Sequence, residues 1–304
     1  MSEAETETAK SDAAVVKADP RHACQPDGSV DGYRANRTLP FRVELARQLR
    51  RRRTRLTLGF LVLLPLLVLL AFELGNGGRP RARGLAELAT SGGANFTSFT
   101  LYVSTNFLLV VMVALFFGDT VASEASWSSL KYLVAAPVPR GRLLRQKAAT
   151  AALLSLLGLV LLPAVALTAG LIWYGGADLV NATGDVVPLP GALLRLAVAC
   201  VYLAVHLTWI AGLALLMGVS TDAPLGAVGG AVLVSILSQI LDQITALGDL
   251  RAYLPTHYSR AWTDLLSADV DWSGMAYGTF SGLAYGTAFV LLAAWRFGRK
   301  DITS

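Results

Sequence analysis

Residues 42–74 read RVELARQLRRRRTRLTLGFLVLLPLLVLLAFEL. Seven arginines crowd residues 42–55, and residues 56–74 then carry a single charge, Glu73. A helix that crosses the hydrocarbon core of a bilayer needs roughly 20 apolar residues, and residues 56–74 meet that length. The arginines belong outside the core, because each would cost about 2.5–3.5 kcal/mol at mid-membrane. The stretch predicts a membrane span entered from a strongly basic flank.

Five further runs have the same character: 99–118, 148–174, 192–217, 225–247 and 274–295. The last two are the most diluted by Ser, Gln, Asp and Gly. Composition agrees with this reading. Of 304 residues, 54% are hydrophobic and 15% charged, with a mean hydropathy of +0.53. Soluble domains run nearer one quarter charged, so a water-soluble fold would have too little polar surface and the membrane class is favoured. The expected fold is an all-α membrane protein of six transmembrane helices over residues 41–304. Residues 1–40 are polar, carry Glu3, Glu5 and Glu7 early, and read as a disordered cytoplasmic tail. No cleavable signal peptide is visible there. Cys24 and Cys200 are too few and too far apart in sequence for a disulfide framework or a metal site.

Arginine and lysine set the orientation. The flanks before span one, between spans two and three, and after span six carry fifteen of them, against six in the alternate flanks. The positive-inside rule places the richer set in the cytoplasm. Six spans with both termini inside satisfy this count, whereas an odd number would put Arg296, Arg299 and Lys300 outside. The net charge of +5 follows from these flanks and gives no reason to expect a nucleic-acid partner. Within residues 42–55, Val43, Leu45, Ala46 and Leu49 lie among the cations. They suit a basic amphipathic helix resting on an anionic leaflet; a plain positive-inside stop is the alternative.

The flank between spans two and three is GDTVASEASWSSLKYLVAAPVPRGRLLRQK, residues 118–147. It holds no Gly or Pro from residue 119 to 136, and Trp127, Leu130, Leu133 and Val134 recur at helical spacing. Asp119 and Thr120 are candidate N-caps, and Glu124 falls where the helix dipole favours an acid. Pro137 ends the helix and Pro139 suits the first turn of the next. The pattern predicts a short amphipathic helix, an elbow, and a basic helix running into span three.

Asp119, Glu124, Leu130, Leu133, Pro137, Val138, Arg140 and Lys147 together resemble the cytoplasmic loop of type-2 ATP-binding-cassette (ABC) exporter permeases. Where that family often has Gly-Thr before the first Leu, this chain has Ser128 and Ser129. The resemblance implies a six-span permease subunit with an interfacial N-terminal helix, in a bacterial plasma membrane. It implies pairing with a second copy or a paralogue, and docking of each permease on an ATP-binding subunit. The loop would be the coupling helix, with Asp119, Glu124, Trp127, Leu130, Lys131, Leu133, Pro137 and Arg140 meeting that subunit. ATP and Mg would be bound by the partner, because this chain contains no phosphate-binding Gly-x-x-x-x-Gly-Lys-Ser/Thr loop. The cargo expected from such uncharged spans is lipophilic or amphipathic and moves outward.

Other residues are candidates for packing or for a substrate path. Gly274, Gly278, Gly282 and Gly286 recur every fourth residue in span six, and Gly226 and Gly230 lie in span five. Small residues let helices approach closely in lipid; packing within the chain and a dimer seam both fit, and the resemblance implies that spans one and five line such a seam. His206 lies mid-span, where an interhelical hydrogen bond and a substrate or proton role both fit. Gln239, Asp242 and Gln243 could line a cavity mouth. The segment after span five carries Tyr253, Tyr258, Trp262 and Trp272, which fit an interfacial aromatic belt or an outer gate. Gly75, Gly77, Gly78, Pro80, Gly92 and Gly93 suggest a flexible external loop. No His-Glu-x-x-His or Gly-x-Ser-x-Gly motif is present, so a transporter subunit rather than an enzyme is expected. An ion-driven secondary transporter and a non-transporting membrane scaffold remain alternatives.

Overall fold

The computed structural model describes residues 41–75, 88–126, 140–181, 184–267 and 269–299. The chain divides after Thr38. The first unit, which includes most of the expected tail, lies outside the described residues, and every helix named below belongs to the second.

Nine α-helices run through the described residues: α1 (Phe41–Arg50), α2 (Arg52–Gly75), α3 (Gly93–Thr105), α4 (Leu108–Ser126), α5 (Arg140–Tyr174), α6 (Leu189–His206), α7 (Thr208–Ser220), α8 (Pro224–Asp242) and α9 (Ser273–Arg299). Two 3-10 helices, Thr245–Tyr253 and Ala261–Leu266, lie between α8 and α9. A two-residue antiparallel ladder, β1 (Leu179–Val180) with β2 (Val186–Val187), adds a small element to the expected all-helical fold. Five spans are long and apolar enough to cross a membrane, and a sixth forms if α3 and α4 count as one bent span.

That bend corrects the continuous span expected over 99–118. Helices α3 and α4 meet at 55° across residues 106–107. The cause is local. Ser104 and Thr105 donate back to the carbonyls of Thr100 and Leu101, and Thr97 and Ser98 do the same a turn or two earlier. Such back-bonding competes with the helix ladder and bends it. The carbonyl of Asn106, at the break, is taken by Gln239 Nε2 of α8 at 2.8 Å. The bent span also begins earlier than expected. Gly92 and Gly93 belong to a buried helix start rather than a flexible loop, because a side chain on Gly93 would meet the α5 backbone at Leu171, 2.7 Å away.

Three further expectations are corrected. Helix α4 continues unbroken through residues 119 and 120, so neither Asp119 nor Thr120 caps a new helix. Span five stops at Asp242, and the chain turns into 3-10 structure where a helix to 247 was expected. Helix formation also divides the basic flank: α1 ends at Arg50, and Arg52 already belongs to the α2 helix. The expected span over 192–217 is present as α6 and α7, interrupted at the single residue Leu207.

In lipid, helix association depends on close packing rather than on removing apolar surface from water. Glycines permit it at several crossings, among them the approach of α3 to α5 at Gly93 and Gly170. A side chain on Gly282 would come within 2.9 Å of His206 Cα, one on Gly286 within 2.8 Å of the Thr208 carbonyl, and one on Gly212 within 2.6 Å of the Gly286 carbonyl, so α9 lies backbone to backbone on α6 and α7. Gly118 of α4 and Gly218 of α7 make another such crossing, at 2.6 Å. Gly274 packs near Ala261, and Gly278 receives the Tyr202 ring. Gly226 and Gly230 of α8 make no comparably close approach to the other described residues. Helix α2 buries only Thr54, Leu61 and Pro65, and α8 only Ala227, Ala231, Ser235 and Ser238.

Candidate functional site

Functional side chains gather at the two ends of the bundle. The basic end is built around α1. Its polar face turns inward: Glu44 and Gln48 are buried, while Phe41, Val43 and Leu49 are exposed. Glu44 is 3.5 Å from Lys147 Nζ, near the start of α5, and Lys147 is only 2% exposed. Gln48 Nε2 and Arg47 donate to the same carboxylate at 3.0 and 2.6 Å. Burial alone would raise the Glu44 pKa; Lys147, Gln48 and Arg47 together outweigh it and hold the carboxyl below its usual range. One residue past α1, Arg51 contacts Asp119 at 3.4 Å and Ser123 Oγ at 2.9 Å, and Arg53 reaches Asp119 at 2.5 Å. The N-terminal helix region is thereby tied both to α4, which enters the 127–139 segment, and to α5, which leaves it.

Of the residues expected to form the coupling helix, Trp127, Leu130, Lys131, Leu133 and Pro137 lie outside the described residues. Helix α4 runs past residue 124, and α5 begins at Arg140. Asp119 is described, and its partners are the two arginines above.

The capped end is formed by the two 3-10 helices, held down by side chains from the spans. Tyr202 of α6 donates to the Tyr258 carbonyl at 2.5 Å, and Tyr285 of α9 to the Tyr253 carbonyl at 2.7 Å. Arg195 of α6 donates to the carbonyls of Leu265 and Ser267 at 2.9 and 2.6 Å. Ser238 and Thr256 share a buried hydrogen bond of 2.7 Å. At the end of α8, Asp242 meets His257 Nδ1 at 2.5 Å.

Gln239, Asp242 and Gln243 do come together, around an open cavity of about 300 Å³ whose other walls include Asn106, His257 and Arg260. With its amide oriented to satisfy its neighbours, Asn106 donates to Ser259 Oγ at 2.9 Å and accepts from Arg260 at 3.1 Å. The break in the bent span thus forms one wall of this cavity. Sequence reasoning missed Asn106 and Arg260, which lie more than a hundred residues from each other. Only the polar interruption of an apolar run at Asn106 signalled it in advance.

His206 stands apart. It is 1% exposed, stacks on Tyr202, and brings Nδ1 to 3.1 Å from the Gly278 carbonyl. It does not line this cavity. The aromatic residues of the cap divide as well. Tyr253 is exposed, Tyr258 sits edge-on to His257, and Trp262 is fully buried, so Trp262 is not part of an interfacial belt. Among the described residues, no three His, Cys, Asp or Glu side chains gather as metal ligands.

Five helices long and apolar enough to span, and a sixth bent pair, are compatible with a multi-pass α-helical membrane protein. The chain belongs to the DUF2705 family, described as a protein of unknown function, and matches it over residues 82–303. No curated protein matches it.

Proposed function

We propose that this chain is the permease subunit of an ABC exporter that moves a lipophilic or amphipathic compound outward. ATP would be bound and hydrolysed in a separate subunit, and a second copy or a paralogue would complete the pore. The observation that carries the reading is the network at the basic end. The helices on either side of the 127–139 segment are both tied to the N-terminal α1–α2 region, α4 through Asp119 to Arg51 at the junction and Arg53 of α2, and α5 through Lys147 to Glu44 of α1. A subunit pushing on that segment would move α4, α5 and α1 together, and α4 is hinged to α3 at Asn106. Nucleotide-dependent preference for one conformer would then shift the permease between two states. On this reading the basic end faces the cytoplasm of a bacterial cell, α1 lies along the inner leaflet, and the capped end is the outer gate. Partner contact falls to Glu124, Trp127 and the residues up to Arg140.

The test is purification from native membranes, with identification of any nucleotide-binding polypeptide that accompanies the chain. Such a polypeptide should copurify, and Glu124→Ala combined with Trp127→Ala should abolish ATP-driven efflux while leaving membrane insertion intact. Unchanged efflux in that variant sinks the coupling role. The Asp242–His257 pair supports one rival, a proton-coupled transporter. Efflux that persists without any ATPase and collapses with an uncoupler would select it.

A further inference from the structure

A second cavity, of about 210 Å³, lies among α4, α5 and the α6–α7 joint. Met112 and Phe117 of α4, both buried, form its floor. Ala152, Leu156 and Leu159 of α5 form one wall, and Thr208 and Ala211 form the other. Leu156 is exposed and Ala211 half-buried, so both walls reach the outer surface of the bundle.

Among the described residues, no charged side chain lines this cavity, and its hydroxyls are those of Ser155 and Thr208. The Thr208 hydroxyl is spent on the carbonyls of Val205 and Gly282, at 2.6 and 2.9 Å. A polar group entering here would lose its hydration for little return. Small-molecule sites start at roughly 300 Å³. This smaller, apolar cavity suits a length of hydrocarbon chain better than a whole molecule.

The face of α5 that lines the cavity continues toward the basic end. At about 100° per residue, Arg145, Ala149, Ala152 and Leu156 fall within about 60° of one another around α5. Arg145 precedes Ala152 by about 10 Å of helix and Leu156 by about 17 Å. Between the arginine and the cavity this strip carries only the small side chain of Ala149. Arg145 is exposed and makes no hydrogen bond or ion pair with the described residues. Lys147, by contrast, turns to the opposite side of α5, where it is buried against Glu44. Helix α2 packs away from the strip as well: a side chain on Gly158 would strike Leu61. An arginine at the end of an apolar helix extends its charge toward the headgroup layer, and its planar fork matches a phosphate.

We propose that this face binds one glycerophospholipid, with its phosphate on Arg145 and one acyl chain running past Ala149 into the cavity. The chain fills the gap between α5 and the α6–α7 joint, so the lipid becomes part of the bundle. The site requires neither an ATPase nor transport, so it stands apart from the permease reading.

The full chain, delipidated in detergent, is titrated with dioleoyl phosphatidylglycerol, and bound lipids are counted by native mass spectrometry. One lipid should saturate well before any others add. Arg145→Gln should weaken that first step about tenfold or more, the worth of a hydrogen bond to a charged group. Ala152→Leu fills the cavity mouth and should abolish the first step with Arg145 intact. Both positions are at least partly exposed, so both variants should fold. Arg55→Gln, which removes an exposed cation of α2 at the same end, should bind like the parent. Dioleoylglycerol has the chains without the phosphate and should bind far more weakly; glycerophosphoglycerol has the headgroup without the chains and should not compete. No saturable first lipid overturns the proposal. So does parent-like binding by Arg145→Gln or Ala152→Leu, or an equal loss in Arg55→Gln. Equal binding of dioleoylglycerol would make this a site for any lipophile, and competition by glycerophosphoglycerol a bare anion site; either result also overturns it.

Discussion

At the basic end, charged side chains from α1, α2, α4 and α5 pair with one another; at the capped end, side chains from the spans reach mainly for backbone carbonyls. The contrast follows from the backbone. At the basic end the described elements are regular helices whose interior peptide groups bond within each helix, leaving the side-chain charges to be matched. At the capped end the chain runs through 3-10 helices and turns. Carbonyls there lack helical partners, and a buried polar group without one is costly. Arg195 and Tyr285 supply donors there, and Tyr202 adds a second donor to the Tyr258 carbonyl, which also accepts from the Ala261 N–H. The basic end is therefore held by ion pairs, while the cap, apart from the Asp242–His257 pair, depends on whether particular donors are present.

The largest effect should come from breaking the buried pair at the basic end. Replacing Glu44 with Ala removes the carboxylate facing the buried Lys147, and breaking such a pair from one side costs about 3–5 kcal/mol. Thermal unfolding of the solubilised protein should show a clearly lowered midpoint, with Glu44→Gln intermediate because an amide keeps part of the hydrogen bonding. An unchanged midpoint for Glu44→Ala would mean that α1 is not docked through this pair.

Arg195→Ala should act more locally. Two carbonyls lose a charged donor, worth about 1.5–3 kcal/mol for a hydrogen bond to a charged group. Faster amide exchange is expected within residues 261–267, with little change in α2 or α4. Exchange that rises equally across the whole chain would remove the distinction between the two ends.

Acidity should give the smallest and most selective effect. The Glu44 carboxyl titrates below its ordinary value of 4.5 in the folded chain. Its stabilisation is complete above that value and is lost as pH falls through the folded value. Amide exchange in α1 should therefore rise below about pH 4.5, while the Tyr202 and Tyr285 anchors, whose hydrogen bonds involve no carboxylate, continue to protect the cap. Loosening of α1 on alkalinisation instead would contradict the sign of this linkage.

Much of the architecture was legible because apolar length alone signals a span. Residues 56–74 lie inside α2, and 274–295 lie inside α9. The glycines of span six were legible as a close-packing face, since a missing Cβ is a property of the residue itself. Asp119 was not legible. An acid after an apolar run satisfies the rule for a helix cap and equally the requirements of an ion pair with arginines 66 and 68 residues away. Local rules favour the cap, and the docked α1–α2 junction favours the pair. The bend at Asn106 was hidden for a related reason. Its apolar neighbours carry a continuous span, and its Ser and Thr residues become a break only when Gln239 accepts the task of satisfying the freed carbonyl.

By itself the amino-acid sequence determined the number of apolar runs, their lengths and the asymmetry of basic flanks, because these depend on transfer energies summed over adjacent residues. Only the tertiary structure decided which polar groups meet: Glu44 with Lys147, Asp119 with Arg51 and Arg53, and Asn106 with Gln239. Those meetings depend on how helices cross, and the crossing is set by backbone contact at glycines such as Gly118, Gly212 and Gly282, whose partners lie on other helices.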